Sequence, residues 1–367
     1  VAEGFEKYAS KYRVDPQTGK NNYISVQAED ELAAVGMAIG ANWNGARGFT
    51  ATSGPGISLM SEFLGLAYFA EVPLVLFNIQ RGGPSTGMPT RTQQSDILSC
   101  AYASHGDTKH VLLFPEDPQE CFEFSAEAFN LAERLQTPVF VISDLDIGMN
   151  DWVTDKFEWD DEQKYDRGKV LKAEDLDQMD NFGRYLDVDD DGICYRTYPG
   201  THPEKGAFFT RGTSHDEYAR YTENGDINEQ TLTRLVKKFR TASELVPDPI
   251  INLSEKQGSS GVIFYGSTSA AMYEAKDILN ENNIEVDLMR IRSFPFNLDV
   301  WEFIENHDLI YVIEQNRDSQ MRTLIMAEGG ISAEKLRSLV WFNGDPIQAK
   351  FIAKKIYERE SQQALIT

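Results

Sequence analysis

Paired cysteines are missing from this chain. Cys100, Cys121 and Cys194 are its only three, far apart in sequence and without a C-x-x-C pair. That pattern argues against a zinc or iron–sulfur site held by this chain alone and points to a reducing, cytoplasmic compartment. Any electron-carrying cluster would have to sit on a partner. The five histidines (His105, His110, His202, His215, His307) lack metal-ligand spacing, so no metal is assigned to this chain. No apolar run reaches the length of a membrane span, and nothing at the N-terminus reads as a signal peptide. Blocks of lysine and arginine are missing too. With 35 basic against 58 acidic residues the formal charge is −23, which removes the electrostatic footprint of a nucleic-acid binder.

What remains is ordinary for a soluble globular protein: 41% hydrophobic and 25% charged residues in 367, enough for two or three domains. The chain opens on Val1, not Met, directly on a helical-looking stretch, so residues upstream of it are expected.

The stretch 22–53 organises the rest. A β-prone run, Tyr23-Ile24-Ser25-Val26, is followed by Glu29, Asp30 and Glu31, then by Leu32, Val35, Gly36, Ile39 and Gly40 at helical spacing. Acids at a helix N-terminus complement the dipole, and capping accounts for two of the three carboxylates. The helix is rich in Ala and Gly, which allows another backbone to approach closely. A carboxylate where a strand's carboxyl end meets such a helix lies where open α/β sheets place ligand chemistry. Glu29 is therefore the residue to explain.

Strands expected at 23–26, 49–53, 73–79, 110–114 and 139–143 alternate with helices at 57–70 and 118–135, after an opening helix over 1–14. This rhythm predicts an α/β fold with a doubly wound, mostly parallel sheet. Residues 145–222 break it with many Asp and aromatic residues; Trp152, Trp159, Phe208 and Phe209 call for burial there. A helix over 228–245 leads to a proline-bearing hinge. A second α/β unit begins near 261, with strands near 262–265, 286–291, 309–313 and 339–342 and a last helix over 347–359.

Several motifs invite chemistry. Asp187-x-Asp189-x-Asp191-Gly192 matches half of an EF-hand loop, but Tyr198 stands where the bidentate Glu is required. A solvated turn is the alternative. Gly54-Pro55-Gly56 and Gly266-Ser267-Thr268-Ser269 precede helices, where unpaired N–H groups hold anions, or where a Ser/Thr simply caps a turn. Arg81 lies just past a buried strand in a loop crowded with Gly, Pro, Ser and Thr. Its guanidinium suits a substrate carboxylate, with Ser85, Thr86 and Thr90 as added hydroxyl donors. The competing reading is a structural ion pair with Glu62 or Glu71.

Together these pieces resemble the α subunit of the thiamine-diphosphate-dependent 2-oxoacid:ferredoxin oxidoreductases, most closely the 2-oxoglutarate type. The carriers are Gln27-Ala-Glu-Asp-Glu-Leu-Ala-Ala, Thr52-Ser-Gly-Pro-Gly-Ile-Ser-Leu-Met-Ser-Glu and Gln80-Arg-Gly-Gly-Pro-Ser-Thr-Gly-Met-Pro-Thr. Pro199-Gly-Thr-His-Pro-Glu-Lys-Gly-Ala-Phe-Phe-Thr-Arg-Gly-Thr and Ile313-Glu-Gln-Asn-Arg-Asp-Ser-Gln follow in order.

The resemblance implies a pyrimidine-binding domain over 1–225 with its excursion at 145–222, a helix and linker over 226–258, and a transketolase-C-terminal-like domain over 259–367. It implies that Glu29 bonds N1′ of the aminopyrimidine, that Gly54 and Gly56 line the cofactor, and that Arg81 and Thr90 contact the 2-oxoacid. Mg²⁺, the diphosphate and a [4Fe–4S] cluster fall to a β subunit in an (αβ)₂ assembly. Coenzyme A takes the acyl group and ferredoxin the electrons.

The family's Tyr-Pro-Ile-Thr-Pro segment and its upstream γ domain are absent from this sequence. So is a Gly-Asp-Gly diphosphate motif ending in Asn, so the chain alone is not expected to turn over. Two other readings fit the same pieces: a transketolase-like half without ferredoxin, and a non-catalytic assembly subunit.

Overall fold

The computed structural model describes residues 1–160, 162–255 and 260–364. Positions 161, 256–259 and 365–367, inside the expected excursion, linker and terminal stretch, lie outside the described residues. The first part of the chain runs α1 (Ala2–Tyr12), α2 (Glu31–Trp43), β1 (Phe49–Thr52), α3 (Gly54–Phe69) and β2 (Leu74–Gln80). It continues with α4 (Ile97–Ala101), β3 (Val111–Leu113), α5 (Pro118–Leu135) and β4 (Pro138–Asp144). α6 (Leu145–Met149) and α7 (Ala173–Asp177) punctuate the excursion, and α8 (Gly225–Ser243) closes it.

The second part runs β5 (Ile250–Asn252), β6 (Ser260–Tyr265), α9 (Thr268–Glu281), β7 (Val286–Ile291) and β8 (Ser293–Phe294). It ends with α10 (Leu298–Glu305), β9 (Ile310–Glu314), α11 (Gln320–Gly329), β10 (Leu336–Val340) and α12 (Ala349–Ala364).

Two five-stranded sheets form, in the orders β1-β2-β4-β3-β8 and β10-β9-β6-β7-β5. All pairings are parallel except β3 with β8 and β5 with β7. The continuous apolar runs of β2 and β4 are what strands covered on both faces require, and β4 is buried throughout. α5 starts where Asp117 accepts from the Glu120 amide at 2.8 Å and Pro118 occupies the first turn. No helix among the described residues is long and apolar enough to cross a membrane.

One hydrophobic core runs through both sheets, joining Leu76 and Phe140 of the first to Ile263 and Val312 of the second. β8 strengthens the union: it follows β7 directly in the chain yet pairs with β3 of the other sheet. Across the same seam Glu120 receives both ends of the Arg290 guanidinium, at 2.6 and 2.8 Å, and Arg292 Nε at 2.9 Å.

The structure departs from the sequence reading in places. Residues 23–26 make no ladder with β1; Ile24 and Val26 are 83% and 60% exposed. A four-residue strand has no stability of its own without a neighbour to pair with. Only Tyr23 finds a partner, edge-on to Phe5 at 6.1 Å. Residues 54–56 are the first turn of α3, not a turn before it. Trp159 and Phe209 are exposed despite their size.

Candidate active site

The parallel register of β1 and β2 sets Thr52 beside Asn78, so both strands release the chain on the same side of the sheet. From β1 the backbone passes through Ser53 into α3. Ser53 makes no side-chain cap, and the carboxylate of Asp96 lies against this helix start instead: a Cβ on Gly54 would come within 2.8 Å of Asp96 Oδ1. The dipole of α3 favours an anion there. Gly56 is required by crowding, because a Cβ would meet Thr52 Oγ1 and come within 2.9 Å of Glu31 Cγ. The openings of α2 and α3 and the end of β1 therefore converge.

Arg81 enters this corner immediately after β2 and is half-buried. Its Nε is buried without an acceptor. Both carboxylates proposed for a structural pair are engaged elsewhere. Glu71 is held by Arg234 at 2.5 Å and Lys238 at 2.8 Å, and Glu62 faces His105 at 3.5 Å.

The charge that Arg81 feels is that of Asp96. Burial raises the Asp96 carboxyl above its ordinary value; a hydrogen bond from Asn78 Nδ2 at 3.2 Å and the Arg81 charge pull it partly back. Gln80 Oε1 accepts from the Asp96 amide at 2.9 Å, fixing Asp96 under the loop. Sequence reasoning missed Asp96 and Asn78. The available signal was a polar residue inside the otherwise apolar run of β2, buried here with its Oδ1 unpartnered.

Ser85, Thr86 and Thr90 are all exposed, and Ser85 has the left-handed φ of 57°. The loop folds on itself through Met88 N–H to Gly82 O and Gly82 N–H to Arg91 O, each 2.8 Å. Its far end is fastened to the second sheet. Arg91 pairs with Asp345 at 3.1 Å, Thr92 donates to Gly344 O at 3.2 Å, and Asn316 Nδ2 donates to Gln94 O at 3.0 Å.

Glu29 stands one residue before the cap of α2. Asp30 takes the capping role, accepting from the Ala33 amide at 2.7 Å. Glu29 itself is exposed and makes no hydrogen bond or ion pair among the described residues.

The other motifs resolve as internal structure. Ser267 Oγ donates to Asp144 Oδ2 at 2.6 Å and Ser269 Oγ to Gly266 O at 2.8 Å, so this segment serves the seam between the sheets. In the Asp187–Asp191 loop the Lys169 ammonium lies 2.7 Å from Asp189 and 2.9 Å from Asp191, where a calcium ion would need to be. No group of acids, histidines and cysteines suited to a metal exists among the described residues.

Converging helix starts beside an arginine at a parallel strand's carboxyl end are where α/β proteins bind anionic ligands, and the class is that of thiamine diphosphate-binding α/β proteins. Residues 1–241 match the model of the pyruvate flavodoxin/ferredoxin oxidoreductase family, thiamine diphosphate-binding, and the chain belongs to that family.

Among its relatives is the α subunit of 2-oxoacid:ferredoxin oxidoreductase 1 of Sulfurisphaera tokodaii, 35% identical over 342 residues, 90% of this chain and 52% of the relative. The 2-oxoglutarate synthase subunit KorA of Methanocaldococcus jannaschii is 35% identical over 286 residues, 75% of this chain and 71% of its own. A solved 2-oxoglutarate:ferredoxin oxidoreductase from Magnetococcus marinus, with 2-oxoglutarate, coenzyme A and succinyl-CoA bound, superposes with a TM-score of 0.82 at 29% identity. That likeness covers 91% of this chain and 56% of the other. The chain thus spans about half the length of the Sulfurisphaera relative, at 52%.

Proposed function

We propose that this chain is the α-type half of a cytoplasmic 2-oxoacid:ferredoxin oxidoreductase that decarboxylates 2-oxoglutarate oxidatively, with coenzyme A as acyl acceptor and ferredoxin as electron acceptor. In this reading residues 1–225 form the cofactor-facing unit, 226–258 the connection and 259–367 the bracing unit. A β subunit completes the site in an (αβ)₂ assembly and carries the Mg²⁺, the diphosphate contacts and the [4Fe–4S] cluster. All three cysteines here are unpaired in disulfides, in keeping with a reducing compartment.

The observation that carries the reading is Arg81. A half-buried guanidinium with an unpartnered Nε at the carboxyl end of a parallel strand is built to receive an anion from outside the chain. Asp96 balances its charge without filling its fork and so positions it. The substrate's C1 carboxylate is the natural occupant, held until it departs as CO₂, with Thr90 and the Ser85 and Thr86 hydroxyls at hand on the same loop.

Glu29 suits the cofactor's aminopyrimidine for the complementary reason: its carboxylate is exposed and unspent among the described residues, two positions before Glu31, which packs against the start of α3. There it would hold a proton at the ring nitrogen N1′, with the backbone at Gly54 and Gly56 lining the cofactor. Thiamine diphosphate, when bound, supplies the electron sink for the bond broken in decarboxylation.

The test is the complex reconstituted with its partner subunit and offered a panel of 2-oxoacids, coenzyme A and a viologen or ferredoxin. Acid-dependent reduction, fastest with 2-oxoglutarate, is expected. Reduction by none of the acids sinks the reading.

A further inference from the structure

At the end of the first sheet opposite Arg81, where the chain enters β2, lies a small cavity bounded by Trp43, Glu71, Arg184, Arg196, Tyr198 and Phe208. Its volume, about 10 Å³, admits the centre of one water-sized sphere. The surroundings are strongly cationic. Arg184 and Arg196 are only 3% and 4% exposed. The Glu71 carboxylate is occupied by Arg234 and Lys238, and that of Glu133 by Arg47, Arg167 and Arg196.

Arg184 has the weakest claim on Glu71: it feels that carboxylate behind Arg234 and Lys238, and among the described residues it has no carboxylate within ion-pair distance. Its one hydrogen bond runs from Nη2 to the Glu71 carbonyl at 2.8 Å. Its Nε and Nη1 are buried without an acceptor, as is Nε of Arg196. Tyr185 and Phe208 lie 4.8 and 5.5 Å from the Arg184 guanidinium carbon, ring centroid to carbon, so aromatic rings cover the group. A guanidinium does not lose its proton in a protein, and three buried cations sharing the one Glu71 carboxylate are costly.

We propose that this cavity binds a monatomic inorganic anion, chloride under cellular conditions, which offsets the excess of cations around Glu71 and accepts from Arg184 and Arg196. Water fits the same space but brings no charge. Room for about one water suits a single-atom anion. The site is independent of the chemistry at Arg81 and braces the excursion, which contributes both arginines, against the entry to β2.

The assembled enzyme is crystallised, soaked in sodium bromide and measured at the bromine absorption edge. An anomalous peak in the cavity within hydrogen-bonding distance of Arg184 is expected; a cavity without that peak overturns the proposal. In solution, the Tm of the complex should rise saturably in sodium chloride relative to sodium gluconate at equal ionic strength. Arg184→Met should abolish that difference, and a chloride shift of the same size in Arg184→Met overturns the proposal as well. Should Arg184→Met fail to assemble, Arg184→Lys serves in its place: a reduced chloride shift supports the site and an undiminished one removes it.

Discussion

Gln94 and Gln315 hold each other twice. The Gln94 amide donates to the Gln315 carbonyl at 2.8 Å, and the Gln315 amide donates to Gln94 Oε1 at 3.2 Å. One residue ends the loop that begins at Arg81; the other follows β9 in the second sheet. Thr268 Oγ1 adds a third contact to the same Oε1 at 3.3 Å, and the Gln94 amide group points to Asp144 at 3.3 Å. All of this is buried, so each group left unmatched would cost about 1–3 kcal/mol. The second α/β unit therefore anchors the loop that begins at Arg81.

Gln94→Ala should accordingly destabilise the assembled protein by about 1–3 kcal/mol and raise KM for the 2-oxoacid more than it lowers kcat, because the loop loses its footing while the cofactor face is untouched. Thermal unfolding and steady-state viologen reduction measure the two effects. An unaltered KM in a destabilised protein would reduce Gln94 to a purely structural bond.

Arg81→Ala removes the proposed clamp itself. Loss of a charge-assisted bond worth about 1.5–3 kcal/mol raises KM roughly 10- to 100-fold. Arg81→Lys, which keeps the charge but not the fork, should fall between. The substrate dependence of reduction decides it, and a wild-type KM in the alanine variant returns Arg81 to a structural role.

Much of the fold was legible because it rests on patterns internal to one segment. The largely apolar runs of β2 and β4 and the amphipathic α5, with Pro118 in its first turn, declare themselves in sequence. Elements defined by a distant neighbour do not. β8 is two residues long and β5 three, with no periodicity to read, and each exists only because a longer strand offers it an edge. The failure at 23–26 is the reverse case, since β propensity without a partner leaves Ile24 and Val26 in solvent. At the site, Arg81 and Glu29 were visible as charges at element ends. Asp96 was hidden, because its role depends on contact with Gly54 and Asn78, and a short helix-start aspartate looks like any cap.

Glu29→Gln tests the cofactor side. The residue is exposed and unpaired among the described residues, so stability of the chain itself should change by less than about 0.5 kcal/mol. Viologen reduction by the complex should nonetheless fall at least ~10²-fold, the usual loss when acid–base assistance is removed. Activity within threefold of wild type would detach Glu29 from the chemistry.

Glu71 offers a prediction in pH. Burial alone would raise its carboxyl, but the Arg234 guanidinium, then Lys238, hold it well below the usual carboxylate range. An acid whose folded value is depressed contributes stability in full above its unfolded value of about 4.3, and loses that contribution as pH falls through the interval below. Glu71→Gln removes the charge and leaves Arg234 and Lys238 facing a neutral amide, at a cost of about 3–5 kcal/mol near neutrality. The gap between wild type and variant should thus be constant from pH 7 to about 5 and narrow below about 4.3 as the wild type approaches the variant. Thermal midpoints of the two proteins across pH 7 to 3.5 measure it. A gap that stayed level to the acid end would mean that protonating Glu71 costs the fold nothing extra over that range, and the ion pair with Arg234 would lose its claim to stabilise the chain near neutral pH.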